Sequence, residues 1–394
     1  MRLSELSPAF LSYLFWRLAY IAIKPLAILL AAKLLDGSSA SLLSLAIAIS
    51  GTLMASLSFG TYRLLFRTRG QNTRTEQAEL LRKGTFLFNG IIVCLCGAVA
   101  SLVFGLETAA FVSLFVITEH VVHDESRILL YAGSRERWAR ENCLRTLFVL
   151  VLPIVVYFSK GYISLLAALL IAAVLNAILS TVRGGLFRVR TQTFSVLMRW
   201  SFYRAYRRRI SYFMSATLNR FNQQSDRYIY SFLSFETLWV YSLVAQIGNL
   251  PLMFYEMSHM SKLKESVAQE RTHRFQWLPR RQVVTLTGAS GLAFVVYIFV
   301  GATTPEIFEP LFIALLFFIL TINYIASTSM FNGERLFWAM HDAKKFARLE
   351  VSASLAGLVA AIPVAVSGML FLVNIPKALS LIVRIRNTRQ WLRP

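Results

Sequence analysis

The chain has 394 residues, 56% hydrophobic and 15% charged, with a formal net charge of +21 and a mean hydropathy of +0.56. Soluble domains average about 45–50% apolar and about 25% charged residues, so a bilayer must be the solvent for much of this surface. Spans of ~20 residues leave no room for a sizeable soluble domain, and in so apolar a chain the Lys and Arg excess belongs to membrane-protein loops, not to a nucleic-acid partner.

The first apolar stretch starts near Phe10, carries Arg17 and Lys24, and ends at Lys33. It reads as a first span and not as a cleavable signal. Further runs of spanning length lie near Ala40–Tyr62, Gly84–Leu106, Ala109–Tyr131, Cys143–Phe158 and Tyr162–Val182. After a basic stretch, Arg183–Arg209, they resume near Ile210–Leu233, Leu238–His259, Val283–Phe299 and Ile307–Thr328. The last, Val351–Ile385, is too long for one helix of ordinary tilt. A tight turn at Ser367-Gly368 splits it in two; a turn at Asn374–Pro376 is the alternative and leaves a short final helix. The fold class is therefore an all-α polytopic membrane protein with about twelve transmembrane helices. The basic stretch divides them into two sets of six, over residues 1–208 and 209–394.

Orientation follows from the basic residues. Of the 41 Lys and Arg, 34 fall in the N-terminal segment, alternate connections and the C-terminal tail, while the intervening connections hold only Lys33 and Lys160. The positive-inside rule makes the basic set cytoplasmic, with both termini inside, which requires an even number of spans. Three cysteines, two of them (Cys94 and Cys96) in an apolar run, give neither a disulfide framework nor a metal site.

Charges inside spans are costly, roughly 2.5–3.5 kcal/mol each at the bilayer centre on insertion scales, so they tend to face a wet cavity or a partner. Arg17 and Lys24 lie in the first span, Arg220 and Arg227 in the seventh. Each pair is seven residues apart, which sets both cations on one helix face two turns apart. The same stripe at the start of each half is what a parallel repeat predicts, although matching Leu35-Asp36 to Ser234-Phe235 shifts the offset by one helical turn. The seventh span is unusually polar. Asn219, Arg220, Asn222, Gln223, Gln224, Asp226 and Arg227 all lie in it, and Asn219, Arg220, Gln223, Asp226, Arg227 and Tyr230 are expected on one broad face. That face cannot meet lipid chains. Either Asp226 pairs with a cation and the amides bond between helices, or the face lines a solvated cavity for a polar substrate.

Other polar residues say less. Glu119, His120, His123 and Asp124 cluster in the fourth span without a convincing third metal ligand. Glu256 and His259 sit where snorkelling explains them. Pro25, Pro251 and Pro363 are expected to interrupt helices, and Gly288-Ala289-Ser290-Gly291 reads as a packing patch. No P-loop, dinucleotide fingerprint, nucleophile elbow or HExxH helix occurs. This favours a transporter over an enzyme, with no catalytic residues, cofactor or metal expected.

Ala31–Gly60, AAKLLDGSSASLLSLAIAISGTLMASLSFG, and Ser225–Pro251, SDRYIYSFLSFETLWVYSLVAQIGNLP, together resemble Wzx-type polysaccharide flippases of the multidrug/oligosaccharidyl-lipid/polysaccharide exporter superfamily. The second segment matches the family's Asp-Arg near the end of the seventh helix, short outer loop and Tyr-containing eighth helix. Arg127–Arg145 is also similar; Trp239-Val240 stands where the family has Gly before that Tyr. The resemblance implies two six-helix bundles around a central cavity in the bacterial inner membrane. It also implies alternating-access flipping of undecaprenyl-diphosphate-linked oligosaccharide for O-antigen, capsule or exopolysaccharide, beside a polysaccharide polymerase or ligase. Arg17, Lys24, Arg220 and Arg227 would then bind the diphosphate through charge-assisted bonds. Asn219, Gln223, Gln224 and Tyr230 would bond sugar hydroxyls, and Asp226 completes the candidate substrate site. Two alternatives stand beside this reading: an ion-coupled small-molecule antiporter of the same superfamily, for which Asp226 is the deep carboxylate, and a membrane-embedded glycosyltransferase or polymerase.

Overall fold

A segment surrounded by lipid must satisfy its own backbone hydrogen bonds, and a helix does so within one stretch of chain. The computed structural model bears this out in the residues it describes, which are 8–57, 84–118 in parts, 135–160, 164–184, 198–207, 210–255, 275, 277–339 and 343–391. Among them there is no strand, and the structure is all-α and polytopic. Among the described residues, five helices are long and apolar enough to cross a membrane: Leu11–Leu34, Glu136–Phe158, Arg280–Thr303, Pro310–Asn332 and Arg348–Ser367. The chain forms two compact units, Met1–Phe213 and Met214–Pro394.

In the first unit, α1 (Pro8–Leu34) and α2 (Gly37–Leu57) are joined at Asp36. Its carboxylate accepts the Ser39 backbone N–H at 2.7 Å and the Ser39 hydroxyl at 2.8 Å, capping the otherwise unpartnered start of α2. These bonds hold the Asp36 carboxyl below its ordinary pKa. The helix α3 (Arg135–Thr146) passes through a π-helical turn, Leu147–Val151, into α4 (Leu152–Lys160), and α5 (Leu165–Gly184) follows. Pro153 lacks the N–H that would bond the fourth residue back, and the wider turn just before it, closed by Leu152 N–H onto the Leu147 carbonyl, takes up the mismatch. A short helix α6 (Trp200–Arg207) docks Phe202 and Tyr206 against Phe88.

The second unit holds α7 (Ile210–Leu233, which begins just before the division), α8 (Leu238–Gly248) and α9 (Arg280–Thr303). Three more helices complete it: α10 (Pro310–Ala339), α11 (Ala343–Ser367) and α12 (Ile375–Trp391). The last residue of α8 is a glycine where α10 comes too close for a side chain: a Cβ added at Gly248 would meet Ile319 at 2.8 Å. One turn further along α10, buried Asn323 donates to the Gly248 carbonyl at 2.5 Å, which serves the backbone at a break just ahead of Pro251. An ion pair between Glu350 of α11 and Arg384 of α12, 2.7 Å long and largely buried, binds the last two helices together.

The structure corrects several expectations. Arg135–Arg145 is not loop but the polar start of a helix, in which Glu141 bridges Arg137 at 2.8 Å and Arg145 at 3.3 Å. Pro25 and Pro363 do not interrupt: α1 and α11 run through them. The glycines of Gly288-Ala289-Ser290-Gly291 are not a close-packing patch, because a Cβ added at either meets nothing within 4 Å. The tenth span starts at Pro310 after a 3-10 turn, Pro305–Phe308, and runs to Ala339. Both proposed turns in 351–385 turn out to bound one connector. α11 ends at Ser367, Gly368 takes the left-handed φ of 68° that suits glycine, and α12 starts at Ile375. Glu119, His120, His123, Asp124, Glu256 and His259 lie outside the described residues.

Candidate functional site

The predicted site residues lie on two helices, α1 and α7. On α1, Arg17 and Lys24 do share a face, with Tyr20 between them. The Arg17 guanidinium carbon lies 5.3 Å from the Tyr20 ring centre, and the Lys24 ammonium 5.8 Å from the same ring. Arg17 is also 4.8 Å from the Trp138 ring of α3, so an aromatic wall supports the first cation of the pair. Such contacts contribute about 0.5–2 kcal/mol, more as they are desolvated. They leave directional hydrogen bonding unmet: the Arg17 Nε–H is buried and makes none.

On α7, the expected single polar face splits in two. Asn222, Ser225, Asp226, Ile229 and Tyr230 are buried within the second unit, whereas Arg220 is exposed and Asn219, Gln223, Gln224 and Arg227 are half-buried. Spacings of three and four residues put the buried set on one stripe, and the remaining polar residues flank it. Asp226 and Tyr230 are therefore set apart from the other predicted substrate-binding residues of α7, Tyr230 from the sugar-bonding group. Tyr230 stacks on Tyr241 of α8 with ring centres 4.5 Å apart, and its hydroxyl is 3.0 Å from the Thr237 hydroxyl. These contacts make it a structural residue of the α7–α8 corner.

Asp226 is the centre of a buried polar cluster. The Tyr241 hydroxyl donates to its Oδ2 at 2.6 Å and lies 3.3 Å from Asn374 Oδ1, at the foot of α12. The other carboxyl oxygen, Oδ1, is buried and accepts no hydrogen bond among the described residues. Lys377, one turn beyond Asn374, shares the electrostatic surroundings of Asp226 and Arg227. Asn222, one turn before Asp226, fits where α11 has no side chain: a Cβ on Gly357 would collide with its Oδ1.

The two α7 arginines bond neutral amides. Arg220 Nη1 donates to Gln223 Oε1 at 3.0 Å, and Arg227 Nη1 donates to Gln224 Oε1 at 2.8 Å. Arg227 repeats the condition of Arg17, with a buried Nε–H that makes no hydrogen bond. Among the described residues no group of three or more His, Cys, Asp or Glu could hold a metal ion.

No protein-family model matches the chain, and no curated protein matches it in sequence. It is similar to one solved structure described as a MATE in complex with Br-NRF. The two are 12% identical over 98% of this chain and 96% of that one, with a TM-score of 0.41. A likeness that loose assigns neither family nor function.

Sequence reasoning missed Lys377 and the roles of Tyr241 and Asn374. Lys377 did leave a signal: apart from the four intramembrane cations already named, it is the one basic residue that falls in neither set of connections. Tyr241 stood out only as the tyrosine of the eighth-helix pattern, with nothing to name its partner, because a tyrosine in an apolar helix usually reads as packing or an interfacial anchor.

Proposed function

We propose that this chain is a membrane transporter that moves an undecaprenyl-diphosphate-linked oligosaccharide from the cytoplasmic to the outer leaflet of a bacterial inner membrane, by alternating access, for surface polysaccharide assembly. Its termini lie in the cytoplasm, and a polymerase or ligase takes the product. The observation that carries the reading is the shared state of Arg17 and Arg227. Each is the guanidinium of an intramembrane cation pair, one in each unit, and each keeps a buried Nε–H with no acceptor among the described residues. An orphaned buried donor costs about 1–3 kcal/mol. A diphosphate that bridges Nε and a terminal nitrogen, the fork geometry guanidinium favours, would recover that cost. Lys24 and Arg220 add charge beside these arginines, while Asn219, Gln223 and Gln224 offer amides to sugar hydroxyls.

The test is complementation of surface glycan in a strain lacking the gene, with protein level measured alongside. Arg17→Ala and Arg227→Ala are expected to lower surface glycan at least ten-fold. Arg→Lys, which keeps charge but loses the fork, should restore only part of it. Full glycan from both alanine variants at normal protein level would end this reading.

A second reading, an ion-coupled antiporter of small organic cations, draws on Asp226, whose Oδ1 is buried without a hydrogen bond. Sodium- or proton-driven efflux from proteoliposomes that disappears in Asp226→Asn would put it first.

A further inference from the structure

The helix α6 sits in the basic stretch between the sixth and seventh predicted spans, where residues 183–209 carry eight arginines and no acidic residue. No Asp or Glu occurs between Glu141 and Asp226. A helix turns 100° per residue, so Phe202 and Tyr206 fall on one side of α6, and Trp200, Arg204 and Arg207 on the other. The first side is docked: Phe202 is 3% exposed, its ring centre lies 6.2 Å from that of Phe88, and that of Tyr206 is 4.8 Å away from it. The Tyr206 hydroxyl donates to Asn89 at 2.9 Å, and burial pushes its pKa up to about 12. The second side is open. Trp200 is 73% exposed and Met198 89%, and Arg199, Arg204 and Arg207 are all exposed beside them.

We infer that the outer side of α6 is a binding surface for anionic phospholipid headgroups, which fastens the C-terminal end of the first unit to the membrane surface. Trp200 and Met198 supply the apolar part that enters the headgroup–acyl boundary, where an indole ring settles. Arg199, Arg204 and Arg207 supply charge and forked donors for lipid phosphates. Soluble acidic partners fit less well, because two large apolar side chains stand among the arginines. The aromatic docking of the inner side holds this face in place, so the helix is ordered before lipid arrives and loses little entropy on binding.

The test is hydrogen exchange of residues 198–207 in the full-length protein, held in nanodiscs of phosphatidylcholine alone or of phosphatidylcholine with phosphatidylglycerol. Anionic lipid is expected to raise protection by up to about 100-fold, about five-fold for each of three arginines. The increase should vanish in 1 M salt, where the Debye length falls to ~3 Å. It should also vanish in the triple variant Arg199→Gln/Arg204→Gln/Arg207→Gln, and survive in the matching triple Lys variant. Unchanged exchange at Asp226–Tyr241 in each variant shows that the fold is intact. Equal protection in the two lipids would overturn the inference, since apolar anchoring alone would then explain it. Protection that resists salt and the Gln substitutions would overturn it too.

Discussion

Tyr241→Phe separates the hydrogen bond at the centre of the second unit from the packing around it. The substitution keeps the ring that stacks on Tyr230 at 4.5 Å and removes only the donor that reaches Asp226 Oδ2 at 2.6 Å. Two magnitudes compete. Side-chain hydrogen bonds inside a membrane average about 0.6 kcal/mol, whereas leaving one partner of a buried hydrogen bond unsatisfied costs about 1–3 kcal/mol. The second range applies here, because Asp226 is 3% exposed and its Oδ1 already lacks a hydrogen bond among the described residues, so the phenylalanine variant would leave the carboxyl without its hydroxyl donor. The expected loss is therefore ~2 kcal/mol, roughly a 30-fold shift in the folding equilibrium. The assay is denaturant titration of purified protein in micelles followed by circular dichroism, or relative inactivation half-lives if unfolding is irreversible. Asp226→Asn and the double variant complete a cycle whose coupling should lie between about 1 and 3 kcal/mol. A loss under about 0.6 kcal/mol, the average for side-chain bonds inside a membrane, would refute the picture of a buried carboxyl held by this hydroxyl.

Glu350→Gln should destabilise by about 3 kcal/mol, because it leaves Arg384 partly buried without its counter-charge. Glu350→Leu/Arg384→Met should recover most of that loss in the same titration. Asp36→Ala should cost about 1 kcal/mol by uncapping α2. Because the Asp36 pKa is lowered in the fold, its stabilisation is complete above the unfolded value and is lost as pH falls below it, through the folded value. Asp36→Asn should keep much of the cap and remove that acid dependence in melts across pH. Gly357→Ala would drive a methyl into Asn222 Oδ1 and set it 2.8 Å from the Pro376 carbonyl, and should cost about 1–3 kcal/mol. Adding Asn222→Ala should relieve only the first clash, a partial rescue visible in the melting temperature.

Much of the architecture is set by the sequence alone. Apolar length is a one-dimensional property, and it fixed the first span, the ends of the seventh and the division of the last stretch, where Gly368 takes a positive φ. The seven-residue spacing of Arg17 and Lys24 likewise placed both beside Tyr20, because helix periodicity is local. Locality ends where partners come from other helices. Whether Pro25 breaks a helix, whether Gly288 packs against a neighbour, and which way Asp226 points depend on what lies opposite. Only tertiary structure brought Tyr241, Asn374 and Lys377 to Asp226, across 15, 148 and 151 residues of chain, and so divided the polar residues of α7 into a buried core and a more open arginine-bearing flank. The physical reason is that a span must hide or pair every polar group it carries, and the sequence states how many such groups there are but not which neighbour will meet each one.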